Sequence, residues 1–479
     1  MMTSMIGRKS LLWLAAAITV LTVTTAASAS AATRERPCNG SVELCSRTLD
    51  QVVLPGTHNS MSNEEYGWTL PNQHFSIPTQ LEYGVRAFLI DTHYGKPGTS
   101  PGEIVNWKPG QDGDPHALGA STYLCHEQCA WGASPLATEL GKIADFLSTH
   151  PREVLTFVVQ DGIDPDDYAA AVTSSGLIDF IYTGPTDQYP TLAEMISTNQ
   201  RVVMLSEGNT GSVPWFHDGY AGALQETPYN FRKTEQDEID QNNDPGENNE
   251  DTLTTRQSMD QLTNPANLNS SCRPNRGDST GALFLMNHWV NGLIDTGVTG
   301  NTFSPDPAVA QVLNQPDVLV ARAKACEARR GKLPNIVAID QFGDGDLVSA
   351  VRELNGVSPR PFFEVTKPRN ATVKSGAKAT FKLPLTNWGD AESALTKVCA
   401  SVPGKLAIKP KCQAVYVAQG NPGKGTATVK IATRKIFQGR FKGRKSGPVK
   451  FTISGGGDSI STSASLKVNP VKKPKRKRR

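Results

Sequence analysis

Short apolar runs alternate with helical patterns through residues 45–355, and this alternation constrains the fold more than any other feature of the sequence. The candidate strands are Val52–Leu54, Ala87–Ile90, Leu155–Val159, Val202–Leu205, Leu283–Met286 and Ile336–Ile339. The candidate helices are Thr138–Thr149, Pro165–Ser174, Thr191–Ser197, Pro307–Leu313 and Leu347–Leu354. A repeated strand-then-helix pattern predicts a parallel sheet with helical crossovers. With about six to eight repeats, we predict an α/β fold that closes into a (β/α) TIM-type barrel over residues 32–357.

Polar and aromatic residues follow the predicted strands directly, at the end of a barrel where catalytic side chains are usually found. These residues are His58, Asp91, Gln160, Asp161, Glu207, Asn287, His288, Trp289 and Asp340. A long interruption of the pattern, Gln236–Thr255, is rich in Asn, Asp and Glu. It predicts a polar loop over the barrel rather than part of its core.

The sequence changes character from Pro361 onward. Short runs of Val, Ile, Phe and Thr are separated there by Gly, Pro, Asn and Ser, which predicts a smaller all-β sandwich over residues 361–470. The runs are Phe363–Val365, Thr380–Leu385, Ala414–Val417, Thr426–Ile431 and Val449–Ile453. This stretch loosely resembles the immunoglobulin-like accessory modules of secreted bacterial proteins, which implies an adhesion or spacer domain.

The two predicted domains carry charges of opposite sign. Residues 360–479 contain 27 Lys or Arg and 4 Asp or Glu, whereas residues 1–359 contain 22 and 42. The chain ends in a basic tail, residues 471–479. We expect the basic domain to bind anionic surfaces such as lipid headgroups or cell-wall polymers, with no specific nucleic acid as partner. The alternative is a tail that serves solubility alone, and we expect the protein to be a monomer.

The N-terminus has the three parts of a secretory signal peptide, which we assign to residues 1–31. Arg8 and Lys9 form the basic part, Leu11–Val23 the apolar part, and small residues around Ala29 the cleavage site. The apolar part is shorter than the ~20 residues of a spanning helix, which argues against the alternative of a membrane anchor. We therefore expect a secreted, extracellular protein.

Eight cysteines in an exported chain predict disulfide bonds. Their spacing favours the near neighbours Cys38–Cys45, Cys125–Cys129, Cys272–Cys326 and Cys399–Cys412, while other connectivities stay open. A metal site at Cys125 and Cys129 beside His126 is an alternative, which an oxidising compartment disfavours because it converts thiolates into cystine. A Cys125–Cys129 disulfide would hold the loop that carries His126.

Two histidines stand just after short apolar runs, in the segments Leu54–Ser60 and Tyr123–Glu127. Each run predicts a strand end whose imidazole points into a cleft. A neutral imidazole can remove a proton from an attacking hydroxyl while a protonated one donates to the leaving oxygen, since both titrate near neutral pH. The pair predicts acid–base phosphodiester chemistry, with His58 and His126 as the candidate catalytic residues.

The segments Pro55–Ser60, Gly84–Asp91 and Leu124–His126 occur in an order that is similar to a known family. They resemble the catalytic X domain of phosphatidylinositol-specific phospholipase C and its secreted bacterial relatives, the PLC-like phosphodiesterases, over about residues 45–355. The resemblance implies a TIM barrel and a phosphoric diester lyase or hydrolase. Its expected substrates are phosphatidylinositol-type phospholipids at a membrane surface, cleaved through a cyclic inositol phosphate.

The resemblance also implies a role for individual residues. His58 would be the general base and His126 the general acid, and Asp340 would orient His58 by accepting its other ring proton. An ordinary capping or loop carboxylate is the alternative for Asp340. The predicted substrate-binding residues are His93, Asp161, His288 and Trp289. Packing at the barrel rim is the alternative for the last two.

Negative charge that builds up on the phosphoryl oxygens calls for a cation or strong donors. The family uses calcium held by Asn, Glu and Asp, or an arginine instead of the metal. Asn59 and Asp91 match the calcium form as metal ligands, but Leu89 stands where a Glu ligand would be, so calcium would bind weakly. His93 stands where the arginine would be. It could donate to phosphate when protonated, or bind a softer metal with Asp91 and His126.

Two alternatives to the predicted function therefore remain. A divalent cation such as calcium also remains a candidate cofactor. One alternative is a phosphodiesterase that acts on another phospholipid or on a glycerophosphodiester. The other is a catalytically degenerate barrel that binds lipid, which the departures at Leu89 and His93 motivate.

Overall fold

The structure is a computed structural model that describes residues 34–108, 112–229, 231, 253–277, 279–295, 301–390, 395–418 and 422–474, with backbone only at 118, 291–295 and 301–304. The chain divides into two units, Met1–Glu35 and Arg36–Arg479. Three predicted segments lie wholly or partly outside the described residues. They are the signal peptide (1–31), residues 236–252 of the polar loop, and residues 475–479 of the basic tail. Where the loop was predicted to end, a helix begins at Thr255.

Strands and helices alternate between Leu54 and Asn355, which we call the α/β region together with the flanking residues 36–53. The strands are β1 (Leu54–Thr57), β2 (Ala87–Pro97), β3 (Ile104–Asn106), β4 (Ser121–Leu124), β5 (Ser134–Pro135), β6 (Leu155–Gly162), β7 (Val202–Ser206), β8 (Phe216–Asp218), β9 (Leu224–Glu226), β10 (Leu283–Asn287), β11 (Asn291–Asp295), β12 (Asn301–Pro305) and β13 (Ile336–Ile339). The helices are α1 (Ile77–Glu82), α2 (Pro115–Leu118), α3 (Leu136–Thr149), α4 (Pro165–Ser174), α5 (Leu192–Ser197), α6 (Thr255–Thr263), α7 (Pro307–Leu313), α8 (Pro316–Arg330) and α9 (Leu347–Asn355).

Eight of these strands form one curled parallel sheet in the order β8-β7-β6-β2-β1-β13-β10-β9. The α/β class and the parallel sheet are therefore confirmed. Closure into a full TIM-type barrel stays a prediction, because β8 and β9 at the two ends of the sheet do not pair within the described part of the chain. Both end strands have only three residues, and the π-helical turn Gly219–Ala223 separates them.

Alternate side chains of each strand enter two different apolar layers. In β2, Phe88 and Ile90 pack in one apolar layer, whereas Ala87 and Leu89, on the opposite face of the strand, belong to a second layer; both layers also contain helix residues. Burial on both faces makes the strands almost continuously apolar, which is typical of parallel sheets. This explains why short apolar runs located the central strands so well.

Helix α8 is absent from the sequence-based prediction, although it has Pro316 at its start and Gly331 in a left-handed conformation (φ 76°) at its end. The reason is Arg322, whose side chain is completely buried on the face where an apolar residue would be expected. A charged residue on the inner face breaks the apolar stripe by which an amphipathic helix is recognised.

The described residues from 360 to 474 form β-strands without α-helices, and we call them the sandwich region. The strands are β14 (Phe363–Val365), β15 (Ala371–Lys374), β16 (Lys378–Asn387), β17 (Leu395–Ser401), β18 (Gln413–Tyr416), β19 (Gly423–Ala432), β20 (Ser446–Gly455) and β21 (Asp458–Asn469). They form the sheets β14-β16-β19 and β15-β21-β20-β17-β18. Phe381 and Phe451, from different sheets, pack with ring centroids 5.3 Å apart in a shared core. The all-β character is as expected, and an immunoglobulin-like identity stays a prediction.

Four disulfide bonds are present, and they are the four that the spacing favoured: Cys38–Cys45, Cys125–Cys129, Cys272–Cys326 and Cys399–Cys412. The cysteine metal site considered as an alternative is therefore wrong at Cys125 and Cys129, because both sulfur atoms are joined to each other. In the described part of the chain, no helix combines the length and the apolarity that a membrane crossing requires.

Gly56 allows β1 to lie close to β13, and this generates a test of the packing. A Cβ atom at Gly56 would lie 2.9 Å from Ile336 Cγ2 and 3.2 Å from the Val337 carbonyl oxygen. We expect Gly56→Ala to lower the free energy of unfolding of the α/β region by about 1–3 kcal/mol, because added volume strains a packed core. Urea unfolding measures the difference.

The matched control is Gly208→Ala, because nothing lies within 4 Å of a Cβ atom at Gly208. Its stability should stay close to that of the unmodified protein. Equal stability of the two variants would contradict the tight packing of β1 against β13.

Candidate active site

A cavity of about 270 Å³ opens at the carboxyl ends of the parallel strands. The polar and aromatic residues that line it include His58, Asn59, Asn72, Asp91, His126, Glu127, Gln160, Glu207, Glu226, Tyr229, Arg276, Asn287 and Trp289. Carboxyl ends of parallel strands meet at one edge of a sheet, so residues far apart in the sequence converge there. The cavity therefore unites most of the residues that sequence analysis singled out.

His58 and Asp340 form a hydrogen-bonded pair at the ends of the neighbouring strands β1 and β13. Thr57 pairs with Ile339 in the parallel register, and the His58 amide donates to the Ile339 carbonyl (2.9 Å), which extends the pairing by one residue. His58 and Asp340 are the residues that directly follow these two strand ends, and their side chains meet, with His58 Nδ1 2.9 Å from Asp340 Oδ1. A carboxylate accepts the proton of Nδ1, so Nε2 of the neutral ring is left as a proton acceptor.

The His58–Asp340 pair is held from both sides. Asn72 Nδ2 donates to the same Asp340 Oδ1 (3.2 Å). The indole of Trp289 stacks on the His58 imidazole with centroids 3.8 Å apart and planes 4° from parallel. Tyr229 in turn stacks on Trp289, with centroids 5.8 Å apart. Trp289 was predicted to bind substrate, and the structure shows it lining the cavity in contact with His58.

His126 reaches the same cavity from the segment after β4, where the Cys125–Cys129 disulfide closes a short loop. The Cys125 amide donates to the Asp91 carbonyl (3.3 Å), which ties this loop to β2. Burial lowers the pKa of His126 to about 3, and nearby His58 and His93 act in the same direction. His126 is therefore neutral at neutral pH in the free protein.

Asn59 and Asp91, the predicted metal ligands, both line the cavity and are nearly buried. No described residue donates a hydrogen bond to either side chain. Burial, reinforced by the carboxylates of Glu207 and Glu127, holds the pKa of Asp91 well above its usual range. A carboxyl group in this setting loses its proton readily only when a cation or donor compensates the charge.

The oxygen atoms of Asn59 and Asp91 are donors that a hard divalent cation prefers. Leu89, by contrast, lines the cavity with a side chain that offers no ligand atom. Within the described residues, no three Asp, Glu, His or Cys ligand atoms at this cavity come within 4.8 Å of one another. The residues thus fit a hard cation in donor chemistry, with two ligands from the predicted set.

A partly buried ion-pair cluster of Arg276, Glu207 and Glu226 also lines the cavity, and only Glu207 was recognised in the sequence. Arg276 donates from Nε to Glu226 Oε1 (2.7 Å) and from Nη1 to Glu207 Oε2 (2.8 Å). Glu226 also accepts hydrogen bonds from Tyr220 Oη (2.7 Å) and Asn275 Nδ2 (2.6 Å). Glu226 ends a three-residue strand and Arg276 lies in an irregular segment, so neither follows a recognisable periodic pattern.

Three of the predicted substrate-binding residues do not line the cavity. Asp161 accepts a hydrogen bond from the Asn209 amide, which fixes a loop instead. His93 is partly buried, and its Nε2 atom has no hydrogen-bond partner within the described residues. Burial lowers the pKa of His93, so a role as a protonated phosphate donor is disfavoured. The predicted contacts of Asp161 and His93 with substrate are therefore not supported by their positions.

His288 is completely buried and belongs to a structural cluster around Arg322. Its Nε2 donates to the Leu313 carbonyl (3.1 Å), while Nδ1 accepts from Arg322 Nη1 (3.2 Å). Arg322 also donates to the Asn287 carbonyl and to Ser271 Oγ. The expectation that His288 contacts substrate is wrong in this geometry, because both ring nitrogens are occupied inside the protein. For His288, the position fits the alternative given above, which is that the side chain packs inside the protein.

Comparison with known protein families connects this site to one of them. A family model described as PI-PLC X 1 matches residues 113–263 and 255–355, which together cover just over half of the chain. The chain belongs to the PI-PLC X family. His126 and Asp340 lie inside the matched segments, whereas His58, Asn59 and Asp91 precede them.

Two similar proteins come from the fungus Arthroderma benhamiae. One is called an uncharacterized secreted protein and is 26% identical over 335 residues, which cover 67% of this chain and 63% of that protein, less than two thirds of its length. The other is called PI-PLC X domain-containing protein 1 and is 26% identical over 368 residues, covering 74% of this chain and 100% of that protein. The name of the second supports the PI-PLC X family, and neither relative supports the expected bacterial subgroup.

Two of the solved structures that match this chain are similar to it only weakly. The CARDB domain of the PF1109 protein from Pyrococcus furiosus matches 24% of this chain and 99% of its own at 13% identity, with a TM-score of 0.18. An engineered protein matches 90% of this chain and 98% of its own at 11% identity, with a TM-score of 0.24. These scores carry no argument about fold or function.

The buried neutral state of His288 predicts a pH dependence of stability. Burial and the neighbouring Arg322 guanidinium lower the pKa of His288 to about 3. In the unfolded chain the group titrates near its ordinary value of about 6.5. Below that pH the unfolded chain binds a proton at His288 and the folded protein does not. The free energy of unfolding therefore falls as the pH is lowered, by up to about 1.4 kcal/mol per pH unit, until the pH reaches the pKa of the folded protein.

We expect His288→Gln to remove this contribution, so that the loss of unfolding free energy between pH 7 and pH 4 becomes smaller than in the unmodified protein. Chemical denaturation at several pH values measures the slope. The matched control is His116→Gln, at a side chain that is 62% exposed, and it should keep the original slope. Parallel curves for His288→Gln and the unmodified protein would contradict the buried neutral state.

Proposed function

We propose that this protein is a phosphoric diester lyase or hydrolase that cleaves phosphatidylinositol-type phospholipids by acid–base catalysis with two histidines. The observation that carries the proposal is the hydrogen bond between His58 Nδ1 and Asp340 Oδ1 (2.9 Å), in a cavity that also receives His126. A paired carboxylate is the usual way to orient a catalytic imidazole. Membership of the PI-PLC X family supports the same reaction class.

His58 acts as the general base in the proposed first step. Its Nε2 removes the proton of the inositol 2-hydroxyl, and the oxygen attacks the neighbouring phosphorus to form a cyclic phosphodiester. Asp340 holds the Nδ1 proton and stabilises the imidazolium that forms. Stacking on Trp289 keeps the ring in one orientation, so the base meets the hydroxyl with little further loss of freedom.

His126 acts as the general acid and protonates the diacylglycerol oxygen as its bond to phosphorus breaks. Burial keeps His126 neutral in the free protein, and a negatively charged phosphodiester in the cavity favours its protonated form. The proton that His126 donates is thus taken up with the substrate. When water later opens the cyclic product, His126 activates the water and His58 returns its proton.

A divalent cation such as calcium is part of the proposal. Asn59 and Asp91 would hold it, and when bound it would neutralise charge on the phosphoryl oxygens. The cavity carries more carboxylates than cations, since Asp91, Glu127, Glu207 and Glu226 face the single guanidinium of Arg276 within its described lining. An anionic phosphodiester enters such a cavity more easily when a cation accompanies it.

We also propose that the protein is secreted. The four disulfides support an oxidising compartment, and one relative carries the word secreted in its name. Its phospholipid substrate would then be met at an external membrane surface.

Replacement of either catalytic histidine tests the proposed reaction. We expect His58→Ala and His126→Ala each to lower the release of inositol phosphate from phosphatidylinositol at least about a hundredfold, because each removes one proton transfer. His116→Ala is the matched control, since this exposed histidine lies outside the cavity lining. Circular dichroism would verify that all three variants are folded.

Unchanged turnover in both active-site variants would contradict the proposal. Products from lysophospholipids or glycerophosphodiesters, with none from phosphatidylinositol, would point instead to the alternative substrates. Lipid binding without turnover under every metal condition would favour a degenerate binding protein, an alternative that Leu89 continues to motivate.

Removal of divalent cations tests the proposed cofactor. We expect EDTA to suppress turnover and added calcium to restore it, and Asp91→Asn to raise the calcium concentration that half-restores turnover by about tenfold or more, because a charged oxygen ligand is lost. Calorimetric titration with calcium gives an independent binding readout. Asp161→Asn is the control, since Asp161 does not line the cavity. Full turnover in EDTA would contradict a required cation.

A further inference from the structure

The described acidic residues of the sandwich region lie at one of its ends, and many of its basic residues gather at the other. The three described acidic residues lie at the end that contacts the α/β region. Glu364 pairs with Arg36 (2.8 Å), Asp390 pairs with Arg352 (2.8 Å), and Asp458 accepts from the Phe363 amide (2.7 Å). The acidic groups of this end are thus engaged in holding it together.

Exposed basic residues gather at the opposite end, which we call the basic pole. It comprises Lys374, Lys378, Lys405, Lys409, Arg434, Lys435, Arg440, Lys442, Arg444, Lys445, Lys472 and Lys473. The strand β16 runs between the two ends, from Lys378 at the pole to Asn387 beside β14. Its ten residues separate the ends by about 30 Å.

Backbone and side-chain hydrogen bonds bring the segments of the basic pole together. The Arg434 amide donates to the Leu406 carbonyl (2.8 Å), and the Gln438 amide donates to the Val471 carbonyl (3.1 Å). Ser375 Oγ donates to the Arg434 carbonyl (3.2 Å). Within the described chain, no carboxylate forms an ion pair with any residue of the pole. The result is a dense and uncompensated positive surface.

The sandwich region contacts the α/β region at residues that do not line the candidate active site. Arg36 precedes β1, and Arg352 lies near the end of α9, whose last residue, Asn355, exchanges hydrogen bonds with Val53 just before β1 (3.0 and 2.8 Å). The sandwich region therefore contacts the α/β region on the side where β1 begins. His58 follows the carboxyl end of β1, so the cavity opens away from the sandwich region.

We propose that the basic pole binds a linear anionic polymer, such as a phosphate-rich extracellular polymer, and holds the protein there with its cavity directed away from the attachment point. This refines the expectation that the basic domain binds anionic surfaces. A bilayer bound at the pole would lie on the side opposite the cavity, which would keep its lipids from the candidate active site. The inference does not depend on the proposed reaction.

The exposed apolar residues also favour a polymer over a bilayer. The large exposed apolar side chains of the described sandwich region are Leu395 (74% exposed), Ile408 (52%) and Tyr416 (64%). Leu395 and Tyr416 are paired across β17 and β18 beside the α/β end. Ile408 alone accompanies the pole, so the pole offers charge with little surface for insertion among acyl chains.

Binding of the full-length protein to long-chain inorganic polyphosphate tests the proposal. The first pole variant replaces Arg440, Lys442, Arg444 and Lys445 with Gln, and a second replaces Lys405, Lys409, Lys472 and Lys473. The matched control replaces Lys367, Lys382, Lys397 and Lys424, which are exposed lysines outside the pole. All three variants remove four positive charges, so their net charges are equal. Thermal melts would verify that each variant folds.

We expect each pole variant to bind polyphosphate at least about tenfold more weakly and to lower the slope of log affinity against log salt by about 3, because fewer counterions are released. The control should change affinity less than about threefold, since its four lysines lie outside the cluster of basic residues at the pole. Equal losses in the control and pole variants would overturn the proposal. So would absence of polyphosphate binding, or tighter pole-dependent binding to anionic phospholipid vesicles than to the polymer.

Discussion

The parallel pairing of β1 with β13 is the constraint on which the candidate active site depends. The register places Thr57 beside Ile339, so the residue after each strand end meets its neighbour as a hydrogen-bonded His58–Asp340 pair. Gly56 permits this close approach, because any side chain there would enter the space of Ile336. The geometry of the proposed base is therefore a consequence of backbone pairing within the core, and needs no flexible loop to assemble it.

Charge in the cavity is distributed unevenly. His58, beside a carboxylate, is oriented as a proton acceptor, whereas burial keeps His126 neutral until a negative group arrives. Burial and the neighbouring acidic residues hold the pKa of the Asp91 carboxyl well above its usual range. A phosphodiester that enters with a cation would act on both residues. Its negative charge would favour protonated His126, and the positive charge of the cation would favour ionised Asp91. This mutual dependence links the proposed substrate to the proposed cofactor.

The described acidic residues of the sandwich region and many of its basic residues occupy different parts of its surface. The few acidic residues of the sandwich region are used where it contacts the α/β region, through Glu364 and Asp390. Many of the basic residues gather at the far end, where like charges repel one another without a partner. Attachment through that end would leave the cavity unobstructed, so binding to a surface and catalysis could proceed without competing for the same face.

The sequence by itself predicted the elements that depend on local patterns, namely the central strands and most helices, and it indicated His58, His126 and Asp340 as residues of one site. It favoured the four disulfides without fixing their connectivity, which the structure supplied. Strand ends could be recognised because parallel strands buried on both faces are continuously apolar. Only the tertiary structure decided that His288 is buried beside Arg322 and that Arg276 reaches the cavity. These roles arise from contacts between residues distant in the chain, and a local pattern carries no information about which distant groups will compensate a buried charge.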